Sequence, residues 1–589
     1  MTKKLSTLLL ILILTITPTV VIANEDEAIY DEARLLESNE TEQQFPALNI
    51  PQNISPHRPH VYINGFPILS IDMETPIDWD VTTPALGWLR ANWQDNATLN
   101  VSNTSIEFQL NNINVSVRGR GNSTWLGFGS TKRPLRFRFP TGEWRHMFDS
   151  GYVGRDWILL ANVMDPSHLR TFAPFYLGKL LKSMHFVPNS WFVHLYLDGE
   201  YRGVYQLVDE RDANFGRGHL NLDEDPTISE YMIEFDMRVA NSDSPVNTYW
   251  VQTSAGPFEI RFPSNFTDEA DNPHATYVED FINRANEAIS SGDSTETAAI
   301  IDVESFVDFY LVQEFMKNID IGFSSVFYQI RGVGDYRRLY AGPLWDFDLS
   351  SGSANNYPTY WAEDIDEPWG EWAAATNRWF RILLNTPWFR EEVRNRWAAI
   401  RDDEVLEMLD RVQYMAVTFE NEFQRDDERW PSHGNYSWNS STVANLTTAM
   451  ENAEFLHWWF TERIEWMNAW LEIPDARSVT VNEGSVSGYF EPSTTVEISA
   501  NDPAKGYEFS HWIADNDVGF ADYTDADTTF VMPARNVIVS AVFEPMYMPA
   551  QTPAQSILAQ AAAVAGSMLL TGGFLVTLGL TVVLGIRKK

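Results

Sequence analysis

From about residue 60 to residue 210, apolar and polar side chains alternate with a period of two. "TSIEFQLNNINVSVRG" and "PLRFRF" are the clearest runs, and each predicts a β-strand with one buried face. "WFVHLYLDGEYRGVYQLVDE" predicts two strands joined at an Asp198-Gly199 turn. One helix interrupts this half. "DPSHLRTFAPFYLGKLLKS" offers Asp165 as N-cap and Pro166 at the first helical position, predicting a helix over 165–183. Beyond about residue 275 the apolar spacing becomes helical. "DVESFVDFYLVQEFMKNI" opens on Asp302, and long patterns rich in Trp and Phe fill 376–472. Those aromatics read as core, with a carbohydrate-stacking platform as the sharper alternative. Two short β runs, "SSVFYQIRG" and "RRLYAGPLWDFDL", lie between the helical stretches. Over 477–545 the alternation returns, broken by turns and without helical spacing, which predicts a small all-β module.

The two ends carry the longest uniform apolar runs. "MTKKLSTLLLILILTITPTVVIA" has a basic start, an apolar stretch and small residues before Asn24, so residues 1–23 read as a secretory signal peptide. An uncleaved N-terminal anchor is the alternative. Residues 557–586 hold no charged side chain and are followed by Arg587, Lys588 and Lys589. That run is long enough to cross a bilayer and predicts one transmembrane helix with the basic tail 587–589 inside. Residues 24–58, acidic and then Pro-rich, and 546–556 read as linkers around an outer domain, 59–474, and the module 477–545. A net charge of −39 argues against a nucleic-acid partner, since phosphate backbones call for a basic face. Cysteine is absent, so an exported chain of this kind relies on its core alone, for which 44% apolar residues supply the material.

Four stretches carry candidate chemistry. "VRGRGNSTW" places Arg118, Gly119, Arg120, Gly121 and Asn122 together. Its glycines admit a ligand close to the backbone and its arginines suit anionic oxygens, though it reads equally as a hairpin turn. "STKRPLRFRF" sets Lys132 and Arg133 at the mouth of a strand, where a lysine either reaches phosphate as a point charge or is simply solvated. In "KNIDIGFSSVFYQIRG", Asp320 stands between a helix and a strand. It is either a group that orients a hydroxyl and takes its proton or a turn residue. In "GPLWDFDLSSG", a strand would put Asp346 and Asp348 on one face and Trp345, Phe347 and Leu349 on the other. Two like charges on one protected face call for a cation; on an exposed edge they would merely be hydrated.

A Gly/Arg turn, a lysine strand, the connector "GVYQLVDERD", an aspartate after a helix and an Asp-Phe-Asp follow the order of parts in a protein kinase. From about residue 59 to 472 the chain resembles the CotH family of spore-coat and secreted kinases. The resemblance is carried by "VRGRGNSTW", "KRPLRFRF", "WILLANVMDPSHLRTFAPFYLG", "VHLYLDGEYRGVYQLVDER" and "PLWDFDLSSG". It implies an α+β class with an atypical bilobal protein-kinase-like domain, using ATP and Mg²⁺ or Mn²⁺ to phosphorylate Ser or Thr of a secreted or surface protein. On that resemblance Lys132, with Arg118 and Arg120, would contact the nucleotide phosphates, and Asp209 and Glu210 would lie near its base. Asp320 would be the catalytic aspartate, and Asp346 and Asp348 would hold the metal. Two departures stand out: Ser324 and Ser325 where a metal-binding Asn is usual, and Arg170 but no Glu on the helix 165–183 to pair with Lys132. Residues 477–545 resemble the bacterial repeat family related to the Listeria internalin B-repeat, through "GSVSG", "GYEFSHW", "TTFVMP" and "VIVSAVF". That resemblance implies a β-grasp-like spacer or adhesion module. The expected function is a membrane-anchored extracellular kinase. The alternatives are a catalytically inactive relative used for binding or adhesion, and a carbohydrate-active surface protein.

Overall fold

A computed structural model describes residues 45–546, apart from 52–53, 81–84, 122, 127–130, 211–218, 241–248, 264–271, 356–364, 432–435, 437, 474–475, 486–487, 515–517 and 534. The period-two half forms β1 (Ile68–Asp72), β2 (Gln94–Ser102), β3 (Leu110–Gly119), β4 (Leu135–Arg138), β5 (Asp156–Leu160), β6 (Ser190–Leu197) and β7 (Glu200–Asp209). These close into a barrel in the order β1-β2-β3-β4-β5-β7-β6. The β6–β7 hairpin turns as its sequence predicts. Asp198 and Gly199 both take positive φ (49° and 79°), the geometry that a two-residue turn between right-twisted strands requires. Asp198 also accepts from the Met73 N–H at 2.7 Å, which ties the turn to the end of β1.

The closure overturns the expected bilobal kinase-like fold. β1 runs parallel to β6, with Leu69 opposite Leu195, so the β-rich half has no open edge and seven strands surround one apolar interior. Leu69, Leu99, Val117, Phe137 and Leu159 are buried in it. The molecule is a mixed α/β structure built on that barrel.

A second sheet follows: β8 (Tyr231–Phe235), β9 (Trp250–Thr253), β10 (Gly256–Phe262), β11 (Val326–Arg331) and β12 (Arg338–Ala341), in the order β12-β11-β8-β10-β9. The helices that position the candidate site are α1 (Phe172–Leu181), α2 (Pro273–Ser291), α3 (Val303–Met316), α4 (Glu420–Arg429) and α5 (Ala449–Trp470). Asp302 caps α3 by accepting from the Ser305 N–H, as expected, and α3 is buried almost throughout, its acids Asp308 and Glu314 paired with Arg396 and Arg463. The helix expected over 165–183 starts later, at Phe172. Asp165 accepts instead from the N–H groups of Ser167 and Arg170, and so holds residues 165–170 as a folded loop.

The C-terminal module is all-β, as its alternation predicts. It comprises β13 (Arg477–Asn482), β14 (Gly484–Ser485), β15 (Gly488–Phe490), β16 (Thr495–Ala500), β17 (Tyr507–Ala514), β18 (Asp527–Val531) and β19 (Val537–Pro545). These form two sheets, β15-β13-β19-β17 and β14-β16-β18, around one core that includes Val479, Ile498, Trp512, Phe530 and Val539. Two sheets sharing a core replace the β-grasp arrangement that was expected. Among the described residues no helix is long and apolar enough to cross a membrane. The apolar run 557–586, the tail 587–589, the signal segment 1–23 and Asn122 lie outside the described residues.

Candidate active site

The end of α3 sets up the first functional side chain. Lys317 terminates the helix with positive φ (48°), and the Asn318 side chain then caps a short 3₁₀ turn, Ile319–Gly322, by accepting from the Asp320 N–H. Asp320 projects from this turn just ahead of β11. Burial, followed by the charges of Asp346 and Asp348, holds its carboxyl well above the usual carboxylate range. Arg238, in a two-pronged ion pair with Asp236 (2.6 Å and 2.9 Å), opposes that shift.

Asp346 and Asp348 do not sit on a strand. β12 ends at Ala341, and residues 342–347 run as irregular backbone. Asp346 itself takes positive φ (65°). The anticipated sorting of side chains survives this: Trp345, Phe347 and Leu349 are buried, while Asp346 and Asp348 are half-buried. The Ser325 hydroxyl donates to Asp346 Oδ2 at 2.9 Å. The serine that stands where a metal-binding Asn was anticipated therefore orients a carboxylate. Burial, then Asp346 and Asp165, push Asp348 up to about 8, against the pull of Arg120. Arg120 stands 5.6 Å from the centroid of Trp345. The structure thus brings Asp320, Asp346, Asp348 and Arg120 together.

The raised Asp348 has a thermodynamic consequence. Between its ordinary pKa of 3.8 and about 8 the folded chain keeps a proton that the unfolded chain has lost, so stability falls as pH rises across that window. Asp348→Asn is expected to stabilise the chelator-treated protein at pH 8 by on the order of 1–3 kcal/mol, with the gap closing towards pH 4. Urea denaturation of both proteins across that range checks it. An equal response at every pH contradicts it.

Lys132 lies elsewhere and has no exposed surface. Its ammonium donates to Asp426 Oδ2 of α4 at 2.8 Å. Asp426 also accepts from the Val204 N–H at 2.6 Å, and His168 Nε2 stands 3.3 Å from it. The segment 165–183 has no Glu to pair with Lys132; α4 supplies the acidic partner, Asp426. Arg170 pairs with Asp165 at 2.7 Å and reaches the carbonyl of Ser351. Loop 165–170 therefore spans the two regions. His168 is at Asp426, and Asp165 acts electrostatically on both Lys132 and Asp348.

Asp209 is fully buried at the end of β7, where it accepts from the Asn189 N–H at 2.6 Å and from the Tyr152 hydroxyl. Glu210 pairs with Arg136 at 3.0 Å, and Arg118 stands over Trp93. No described contact joins these three to Asp320, Asp346 or Asp348. Surface pockets of about 420 and 570 Å³ lie apart from the carboxylates, one lined by His57, Tyr62 and Phe419, the other by Asp308, Trp388 and Arg396. Among the described residues no three His, Asp or Glu side chains converge in a way that would hold a metal by themselves.

Residues 117–467 match the model of the family described as CotH kinase protein, well over half of the chain. The chain belongs to the CotH kinase family. Residues 477–546 match the divergent InlB B-repeat domain. No curated protein matches the chain. CotH membership implies a kinase-like function and, in general, the use of ATP and a divalent metal. Within the matched CotH region lie both the carboxylate cluster and the buried Lys132–Asp426 pair.

Proposed function

We propose that this chain transfers the γ-phosphoryl group of ATP to a Ser or Thr hydroxyl of a secreted or surface protein. The observation that carries the reading is three half-buried carboxylates, Asp320, Asp346 and Asp348, that act electrostatically on one another, with Arg120 acting on Asp348. Such crowding is unfavourable in an unliganded protein and is common where a site is built for charge. In the proposed reaction Asp320 takes the proton of the acceptor hydroxyl as its oxygen bonds to the γ-phosphorus. The bond from that phosphorus to the β,γ-bridging oxygen breaks, and ADP leaves. Arg120 faces the charge that builds on the phosphoryl oxygens. The all-oxygen pair Asp346 and Asp348 suits a hard divalent cation such as Mg²⁺ or Mn²⁺, which takes one or two carboxylates together with substrate phosphates. When bound, that cation would neutralise phosphate charge. The proposal includes an extracellular location, supported by the basic start and apolar stretch of residues 1–23.

A second reading, a CotH relative without catalysis that serves in binding or adhesion, is favoured by one observation. Lys132 is sealed from solvent and held by Asp426. Labelled ATP with Mg²⁺ or Mn²⁺, given to the full-length protein with generic acceptors, separates the two. Asp346→Asn is expected to reduce transfer at least a hundredfold. Metal-dependent nucleotide binding without transfer selects the second reading, and transfer that survives the substitution removes Asp346 from the site.

A further inference from the structure

Three guanidinium groups gather on one indole. Arg118, Arg136 and Arg138 stand 4.8, 5.7 and 3.9 Å from the centroid of Trp93. Strand register makes this unavoidable: β3 pairs with β4 so that Arg118 lies directly opposite Arg136, and Arg138 opposite Ser116. Like charges directly across a strand pair are destabilising. Arg155 adds a further positive charge acting on Arg138. Only Arg136 is directly ion-paired, with Asp156 and Glu210, each at 3.0 Å; Glu210 and Asp156 act on Arg118, and Asp156 and Asp95 on Arg138, without an ion pair.

Arg118 and Arg138 make no side-chain hydrogen bond or ion pair with any described residue, and the Nε of each is shut off from water without a partner. Burial, then Arg136 for Arg118 and Arg155 for Arg138, holds both below the usual arginine range. A bound anion would relieve both the missing hydrogen bonds and the repulsion. Guanidinium forks held against an aromatic face are preorganised for the paired oxygens of a phosphoryl group. Arg120, two residues beyond Arg118 in the chain, stands over Trp345 and acts on Asp348, so the chain leads from this cluster to the carboxylates.

We propose that Trp93, Arg118 and Arg138 form a subsite for phosphoryl oxygens. The source of the phosphoryl group, ATP itself or an acceptor already phosphorylated nearby, rests on the phosphotransfer reading; the subsite does not. The test is calorimetric titration of the full-length protein with inorganic pyrophosphate in the presence of a chelator, which keeps the carboxylate site from binding through a metal. Arg118→Gln and Arg138→Gln are each expected to weaken binding about tenfold, or ~1.4 kcal/mol. Arg138→Lys should restore part of the loss. Thermal melts without ligand report folding, and both glutamine variants should melt no lower than the parent because each removes a repelling charge. Displacement of pyrophosphate by ATP assigns the subsite to the nucleotide; displacement by a phosphoserine peptide assigns it to the acceptor. Absence of binding, or binding that both glutamine variants leave intact, overturns the proposal. Arginine-dependent binding without any phosphate transfer would keep the subsite and remove the kinase reading. Transfer without arginine-dependent binding would do the reverse.

Discussion

Asp426→Ala should destabilise the protein by about 3–5 kcal/mol, the range for breaking a buried ion pair from one side. Lys132 and Asp426 have no exposed side-chain surface, so neither water nor salt replaces the lost partner. The substitution leaves the ammonium of Lys132 without its 2.8 Å acceptor and the Val204 N–H without its 2.6 Å one. Burial already pulls the Lys132 pKa down, and the Asp426 charge is the strongest force holding it up. Without that charge the lysine sheds its proton or stays charged at greater cost. The backbone is shaped around this carboxylate as well. Gly203 takes positive φ (98°), and a Cβ there would strike Asp426 Oδ1. The double change Lys132→Met with Asp426→Leu should recover most of the loss, because an apolar pair of similar volume leaves no orphaned charge. Urea midpoints for the single and double variants check this. A single-variant loss under 1 kcal/mol would show that the charge is relieved by some other route.

How far the sequence discloses this arrangement depends on the range over which each determinant acts. The Asp198-Gly199 turn, the Asp302 cap and the alternation after residue 477 are local, and each produces the element it signals. Asp346 and Asp348 stand out because acids among Trp345, Phe347 and Leu349 break an apolar run, and Asp320 because it separates a helix from a strand. Barrel closure has no such mark. It depends on β1 lying parallel to β6, more than a hundred residues away, and parallel pairing leaves no turn between the partners. Asp426 is hidden for a different reason. It sits in "QRDDERW", where one buried acid looks like its hydrated neighbours, and only the approach of α4 to β7 separates them. The misplaced start of α1 has the same character. Asp165 and Pro166 do make a capping pattern, but the acid caps a loop that reaches across to residues 350–353.

Asp320→Asn should lower kcat for phosphate transfer by about 10²–10⁴, the usual contribution of a positioned general base. The amide keeps the shape and hydrogen-bonding reach of the carboxylate but cannot take the acceptor's proton. KM for ATP should therefore change little while kcat falls, whereas loss of Asp346 should disturb both. The pH profile gives a second reading of the same group. Asp320 works as a base only when ionised; burial raises its pKa, and Asp346 and Asp348 add to this in the metal-free chain, a share that a cation held by them would offset, so the rising limb of kcat should lie above the usual carboxylate range by what burial contributes. Asp348→Asn removes one of those charges and should move that limb to lower pH, even though it also weakens metal binding. Initial rates at saturating ATP and metal across pH 4–9 would follow both effects. A limb that stays in place in Asp348→Asn, together with an Asp320→Asn enzyme of near-parental kcat, would mean that the acceptor's proton leaves by another route and that Asp320 serves the site only through its charge.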